Sequence, residues 1–260
     1  MILARGRRTA RRHVHVRGHA GTRVAVLALA AAMLVLAVAC VPRTPLAWPV
    51  VLADAPGARY AAVGDSITQQ GVERPDGWVN QYLGTRDVVN LGRDSWTASQ
   101  LLNALYEDPA FVDGVRNATR ITLDIGINDY LQARGLYNAG ACGGDDGRDC
   151  LRAMLVHFGT VFDAILARLN SAAPCALLVV GDLYSMRYLD PPGSPVGDYL
   201  RLMNDHIDAS GVAVAQVHAA FGDGSGLILP DGVHPNDVGQ NVIAQAFAAA
   251  QPMSRCHTPA

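Results

Sequence analysis

The sequence predicts an α/β protein, a three-layer α/β/α sandwich around a parallel sheet of five strands. Five short runs rich in branched or small apolar residues are typical of buried strands, and helical patterns alternate with them. This alternation indicates parallel strands joined by crossover helices. Because such crossovers are right-handed, the carboxyl ends of all five strands lie at one edge of the sheet, where open α/β sheets bind ligands.

The predicted elements follow one another along the second part of the chain. The strands are residues 59–63, 87–90, 120–125, 176–180 and 212–217. The helices are residues 77–83, 97–106, 150–170, 196–209 and 235–249. No internal repeat or second low-complexity stretch interrupts this pattern, and roughly 200 residues can bury a substantial core. We therefore expect one domain over residues 58–260.

The beginning of the chain has the pattern of a secretion signal. Residues 1–39 contain seven arginines and no acidic residue, and they end in an apolar run of 16 residues. That run is shorter than the ~20 residues of a membrane span. It ends in "LAVAC", which resembles a bacterial lipobox, and the resemblance implies that Cys40 becomes a lipidated N-terminus. An ordinary signal peptide or an uncleaved anchor is the alternative.

Residues 40–57 are rich in proline, which predicts an extended tether between the membrane and the domain. All 21 basic residues of the chain are arginine, and 14 of them follow residue 39 together with all 23 acidic residues, a net charge of −9. A body this acidic lacks the basic footprint of a nucleic-acid-binding protein. We expect an exported monomer, held at the outer face of the bacterial membrane by its N-terminus or secreted, with no nucleic-acid partner.

Four further cysteines, an even number in an exported chain, favour two disulfides. Cys142 and Cys150 bracket a polar, glycine-rich loop that a disulfide between them would close. Cys175 opens the fourth predicted strand and Cys256 follows the last helix, so both are expected at the edge of the sheet opposite the ligand site. The spacing alone leaves three connectivities open.

Four polar clusters follow predicted strands or lie in the last loop. They are "GDSIT" at 64–68, "NLGRDSWTA" at 90–98, "GIND" at 126–129 and "DGVHP" at 231–235. All four lie at the predicted carboxyl edge of the sheet. They can therefore converge on one site.

The last cluster suggests a general base. Asp231 is three residues before His234, so its carboxylate can fold back and accept the Nδ1–H of the imidazole, leaving Nε2 free to take a proton. Ser66, at a strand-to-helix turn, is the candidate nucleophile. The alternative is that Ser66 merely caps the helix. The backbone N–H of Ser66 and the side-chain N–H of Asn128 can donate to the oxyanion of an acyl-transfer intermediate. This chemistry needs no metal and no cofactor.

Taken together and in this order, the four clusters resemble the four blocks of the SGNH hydrolases, also called GDSL esterases and lipases. The resemblance covers residues 58–249 and implies a flavodoxin-like sheet, with Ser66 as nucleophile, His234 as base, Asp231 as its partner and Asn128 in the oxyanion hole. The second block departs from the family pattern, because Ser95 stands where a glycine usually donates its N–H to the oxyanion. We assign that donor to the N–H of Ser95, with Gly92 as the other candidate.

The predicted function is that of an exported serine esterase, which hydrolyses carboxylic esters through an acyl-enzyme. A non-catalytic surface protein that binds acyl or glycan ligands, and an acyltransferase with the same triad, are the alternatives. The loop after Asp129 and residues 185–199 are expected to form the pocket for the substrate. Small-molecule, lipid and glycan esters all remain open as substrates.

Overall fold

One parallel sheet of five strands organises the part of the chain that the computed structural model describes, residues 58–83, 87–186 and 193–250. The strands are β1 (Tyr60–Gly64), β2 (Val88–Gly92), β3 (Arg120–Asp124), β4 (Leu177–Gly181) and β5 (Ala213–Ala215). Every pair of neighbours is parallel, in the order β2-β1-β3-β4-β5. This order confirms the predicted flavodoxin-like sandwich, and it reverses between β1 and β3, which opens a crevice at their carboxyl ends.

Helices cover both faces of the sheet. Those in the described residues are α1 (Ser66–Glu73), α2 (Trp78–Leu83), α3 (Ala98–Glu107), α4 (Pro109–Arg116), α5 (Ile127–Asn138), α6 (Asp149–Ala172), α7 (Pro195–Asp208), α8 (Val217–Phe221) and α9 (Asp237–Ala249). The sequence indicated a helix beginning near Ser66 but gave no range for α1, and it did not predict α4, α5 and α8. Of these four helices, α1, α4 and α8 have eight residues or fewer, too few for a helical period to stand out.

The two helical layers are held by different aromatic pairs. Helix α6 packs with α3, α5 and α7, and its fully buried Phe158 and Phe162 stack with their ring centroids 5.4 Å apart. Helix α9 packs with α2 and α8, and its Phe247 stacks on Trp78 at 4.3 Å. By length and composition α6 could also cross a membrane. The buried aromatic face identifies α6 as a core helix here.

A disulfide joins Cys142 to Cys150 and closes the loop that leads into α6. Cys175, just before β4, is also disulfide-bonded. Its expected partner, Cys256, lies outside the described residues. So do the predicted signal at 1–39, the lipidation site Cys40 and the tether at 40–57.

Candidate active site

The turn from β1 into α1 contains Ser66, for which the sequence left two roles open, helix cap and nucleophile. Asp65, not Ser66, is the N-cap of α1, and its Oδ1 accepts the N–H of Ile67 at 3.0 Å. The cap alternative for Ser66 is therefore wrong. Gly64 is required before this turn, because a Cβ there would lie 2.2 Å from the carbonyl oxygen of Asp124. The hydroxyl of Ser66 is left available for another partner.

That partner is His234. The Oγ of Ser66 lies 2.9 Å from Nε2 of His234, and the Nδ1 of the same ring lies 2.8 Å from Oδ2 of Asp231. Because an ionised carboxylate only accepts hydrogen bonds, Nδ1 carries the ring proton and Nε2 accepts the hydroxyl proton. Ser66 is 6% exposed, so its side chain is largely shielded from solvent. The structure thus joins the three residues in a Ser–His–Asp hydrogen-bond chain.

The carboxylate of Asp231 also organises the loop that carries the histidine. Its Oδ1 accepts the backbone N–H of Val233 at 2.8 Å and that of His234 at 2.9 Å. Desolvation by partial burial favours a higher pKa for Asp231, but these two hydrogen bonds and the one from the imidazole outweigh it, so its pKa is lowered. Asp231 therefore keeps its negative charge beside the imidazole at neutral pH.

The second cluster forms a turn against the end of β1. The N–H of Arg93 donates to the carbonyl of Gly64, and the turn closes with Trp96 N–H donating to the carbonyl of Arg93. Ser95 has a φ of +60°, the one left-handed non-glycine residue in the described chain. Its N–H makes no hydrogen bond to any described residue. It is thus available to a ligand.

Gly92, the other candidate donor, is already occupied. Its N–H donates to Oδ1 of Asn90 at 3.0 Å. The same residue lies against the start of α1, where a Cβ would approach the backbone N of Gln69 to 2.3 Å. Gly92 therefore has a structural role, and of the two candidate donors the N–H of Ser95 is the one left available.

Asn128 lies in the first turn of α5, four positions after the last residue of β3. Its Nδ2 donates to the carbonyl of Trp96 at 2.9 Å. The nearest acceptor for its second hydrogen is Oδ2 of Asp65 at 3.5 Å, which is too far for a strong hydrogen bond. Asn128 thus ties the Ser95 turn to α5, and its second N–H makes only this long contact with Asp65 among the described residues.

The loop expected after Asp129 is instead the continuation of α5. The carboxylate of Asp129 accepts the N–H of Ala98 at 2.9 Å and so anchors the start of α3. A cavity of about 470 Å³ borders Asp231, and Met186 and Ile228 are among the apolar residues that line it. Of the expected pocket segment at 185–199, residues 187–192 lie outside the described chain.

The sequence did not identify three acidic residues at strand ends as a group: Asp65, Asp124 and Asp182. Burial, with the nearby charge of Asp124, raises the pKa of Asp65 well above its usual value. Burial and the charge of Asp182 raise the pKa of Asp124 to about 7, and burial raises that of Asp182 to about 6. The signal that could have found Asp182 is its position directly after β4, the rule that selected the other clusters.

Tyr184, two residues further on, was also not predicted as part of the site. Its hydroxyl donates to the carbonyl of Val233 at 2.6 Å, beside His234. No group of three or more His, Cys, Asp or Glu residues in the described chain could hold a metal ion.

Comparisons with known proteins bear on the family and the fold. The model of the GDSL-like lipase/acylhydrolase family matches residues 62–242. No curated protein matches the chain in sequence. The fold is similar to the crystal structure of the lipase Lip_vut3 from a goat rumen metagenome, with a TM-score of 0.63, 21% identity and coverage of 74% of this chain and 96% of that one.

Two other solved structures have the same likeness. The acetylxylan esterase Axe2 of Geobacillus stearothermophilus is 19% identical, with a TM-score of 0.54 and coverage of 74% of this chain and 92% of that one. The hydrolase LAE5 from the metagenome of Lake Arreo, Spain, is 21% identical, with a TM-score of 0.54 and coverage of 75% and 95%. At these identities the likeness concerns the fold.

Proposed function

Because this chain belongs to the GDSL-like lipase/acylhydrolase family, we propose that it is a serine esterase that hydrolyses carboxylic esters through an acyl-enzyme. The observation that carries the proposal is the unbroken hydrogen-bond chain from Ser66 through His234 to Asp231. It supplies a nucleophile, a base with a free acceptor nitrogen, and a carboxylate that fixes the tautomer of that base. The family itself places the protein among ester-hydrolysing enzymes.

In the first half-reaction, Oγ of Ser66 attacks the ester carbonyl while Nε2 of His234 takes the hydroxyl proton. The tetrahedral intermediate carries its negative charge on the former carbonyl oxygen, close to the backbone N–H groups of Ser66 and Ser95 and the amide of Asn128. Collapse of the intermediate breaks the ester bond, and His234 returns the proton to the departing alcohol. The acyl group stays on Ser66.

In the second half-reaction, a water molecule gives its proton to Nε2 of His234 and attacks the acyl-enzyme. Collapse of this second intermediate releases the carboxylic acid and returns the proton to Oγ. The negative charge of Asp231 stabilises the imidazolium in both steps. If an alcohol took the place of water, the same residues would perform acyl transfer.

The left-handed backbone of Ser95 argues against a non-catalytic scaffold. If the φ of Ser95 were in the ordinary negative range, the backbone of the turn would have a different orientation and the N–H of Ser95 would point in another direction. With a φ of +60°, Ser95 adopts the backbone region that glycine occupies freely. The serine in place of the usual glycine therefore adds a side chain and keeps the backbone N–H as a donor.

Ser66→Ala is the direct test, in a series of p-nitrophenyl esters from acetate to octanoate. We expect kcat to fall by at least about 10³-fold, because the covalent route is lost. Ser99→Ala is the matched control, since the Oγ of Ser99 also contacts a histidine, Nε2 of His157 at 2.7 Å, at the protein surface. Full activity of Ser66→Ala would overturn the assignment.

A fluorophosphonate probe separates an esterase from a ligand-binding protein. The wild type and Ser99→Ala are expected to be labelled covalently, and Ser66→Ala to remain unlabelled. A wild type that binds esters without labelling would support the binding protein. Acetylated xylan and a triglyceride then distinguish the substrate classes suggested by the structurally similar acetylxylan esterase and lipase. Assays with and without an acceptor alcohol distinguish hydrolysis from acyl transfer.

We also propose that the enzyme is exported and anchored through a lipid on Cys40, on the strength of the signal-like residues 1–39 and the "LAVAC" motif. Cell fractionation with a Cys40→Ala variant tests this. The wild type is expected in the membrane fraction and the variant in the medium. An unchanged distribution would contradict lipid anchoring.

A further inference from the structure

The peptide group between Val233 and His234 is clamped at both of its polar ends. Its N–H donates to Oδ1 of Asp231 at 2.9 Å, and its carbonyl oxygen accepts the hydroxyl of Tyr184 at 2.6 Å. The plane of this peptide sets the direction in which the His234 side chain leaves the backbone. The two contacts together therefore aim the imidazole.

The side chain of Tyr184 is itself held rigidly by its packing. Its ring is 3% exposed and stacks on Phe221, with centroids 4.4 Å apart. The preceding residue, Leu183, is fixed by the buried side chain of Asn204, which accepts the Leu183 N–H and donates to its carbonyl, both at 2.8 Å. Because Tyr184 is fixed to the core, its hydroxyl can hold the loop that carries His234 in place.

The hydroxyl of Tyr184 also keeps its proton. Burial raises the pKa of Tyr184 well above its usual value, and the negative charges of Asp124, Asp65 and Asp231 raise it further. The hydroxyl is thus a hydrogen-bond donor throughout the pH range in which an esterase is assayed. The carbonyl of Val233 can only accept, so the direction of this hydrogen bond is fixed.

We propose that Tyr184 is a positioning residue of the esterase, which holds the Nε2 of His234 in line with the Oγ of Ser66 by anchoring the carbonyl of Val233. This inference rests on the proposed function. Without the hydroxyl, Asp231 still holds its two backbone N–H groups, so the loop stays folded, but the peptide plane loses its second support. Misplacement by about 1 Å costs catalysis up to about 10²-fold.

Tyr184→Phe removes the hydroxyl and keeps the stacked ring. We expect kcat for p-nitrophenyl acetate to fall about 10-fold with KM within about 2-fold, because substrate binding does not use this hydrogen bond. The rate of fluorophosphonate labelling is expected to fall by the same factor. A uniformly destabilised fold would not produce this selective loss of kcat.

Tyr82→Phe is the matched control. Tyr82 is also buried and packs near a phenylalanine, and its hydroxyl accepts a hydrogen bond from Arg120 at 3.2 Å, at the opposite edge of the sheet. We expect a similar loss of thermal stability in both variants and an unchanged kcat in Tyr82→Phe. Equal losses of kcat in the two variants, or none in Tyr184→Phe, would overturn the inference.

Hydrogen exchange gives a readout that does not need turnover. In Tyr184→Phe, the backbone amides of Val233 and His234 are expected to exchange at least about 5-fold faster, while Tyr82→Phe leaves them unchanged. Wild type and Ser66→Ala are assayed in the same series. If the wild type hydrolyses no ester, the proposed function fails; if it is active and Tyr184→Phe matches it in kcat, only the role of Tyr184 fails.

Discussion

Asn128 donates a hydrogen bond from its side chain to the carbonyl oxygen of Trp96 at 2.9 Å, and this contact joins the helix after β3 to the turn after β2. The turn also contacts the end of β1 through Arg93 and Gly64. Two of the three donors that we assign to the oxyanion, the side chain of Asn128 and the N–H of Ser95, are therefore held to each other. They are not independent of one another.

Asn128→Ala is expected to lower kcat by about 10²–10³-fold with little change in KM, because a donor to the oxyanion acts mainly in the transition state. Steady-state kinetics on p-nitrophenyl acetate measure this. Asn80→Ala is a suitable control, since Asn80 also holds two carbonyls, those of Val72 and Arg74, away from the site. A loss confined to KM would place Asn128 in substrate binding instead.

Ser95 is expected to act through its backbone alone. Ser95→Gly relieves the cost of a side chain at a φ of +60°, so we expect a stability gain of about 1 kcal/mol by thermal unfolding and activity within about 3-fold of the wild type. Ser95→Ala is expected to retain activity as well, because it keeps the backbone N–H that donates to the oxyanion. If Ser95→Ala lost about 10²-fold in kcat, the hydroxyl would be the donor.

Asp124 makes stability depend on pH. An unfolded aspartate has a pKa of about 3.9, whereas burial and the charge of Asp182 raise the pKa of Asp124 to about 7 in the fold. The folded state therefore binds the proton more tightly, and the free energy of unfolding falls as the pH rises from about 4 to about 7. Above pH 7 this loss is complete.

Asp124→Asn carries no charge at any pH and avoids the loss. At pH 8 we expect it to be more stable than the wild type by about 2–4 kcal/mol, with the advantage gone at pH 4. Thermal unfolding across this range measures the difference. Asp113→Asn, at an exposed position, is the control and should show no such trend. A constant difference between Asp124→Asn and wild type at all pH values would contradict the assignment.

The disulfide between Cys142 and Cys150 is expected to contribute to stability and not to catalysis. Its cysteines are eight positions apart, and closing so short a loop stabilises a fold by about 2–3 kcal/mol in the chain-entropy model. Replacing both with serine should lower Tm by about 5–10 °C. We expect kcat at 25 °C to stay unchanged. A variant with a native Tm and reduced kcat would reverse these roles.

The sequence predicted the layers of the fold because buried parallel strands are short apolar runs that stand out locally. It did not predict α5, since the pattern around Gly135 is weakly amphipathic and the polar "GIND" suggested a loop. At the turn after β1, aspartate and serine are both good helix caps. Only the three-dimensional contact assigns the cap to Asp65.

The pair of Asp231 and His234 was predictable because three residues of sequence bring them together. The contact of Tyr184 with Val233 spans 49 positions, and no local pattern encodes it. The same holds for Asp124 beside Asp182, whose burial depends on how two strands and their helices pack. Local motifs thus revealed the reacting groups, and packing revealed what supports them.

The contact between Ser66 and His234 spans 168 positions, from the end of the first strand to the loop before the last helix. A partly folded chain that has assembled only β2, β1 and β3 contains the serine and its neighbouring donors but no base. Recovery of ester hydrolysis during refolding therefore requires the C-terminal quarter of the chain to have joined the central sheet. Activity thus reports the assembly of two segments that are distant in sequence, which a signal from the central strands alone does not.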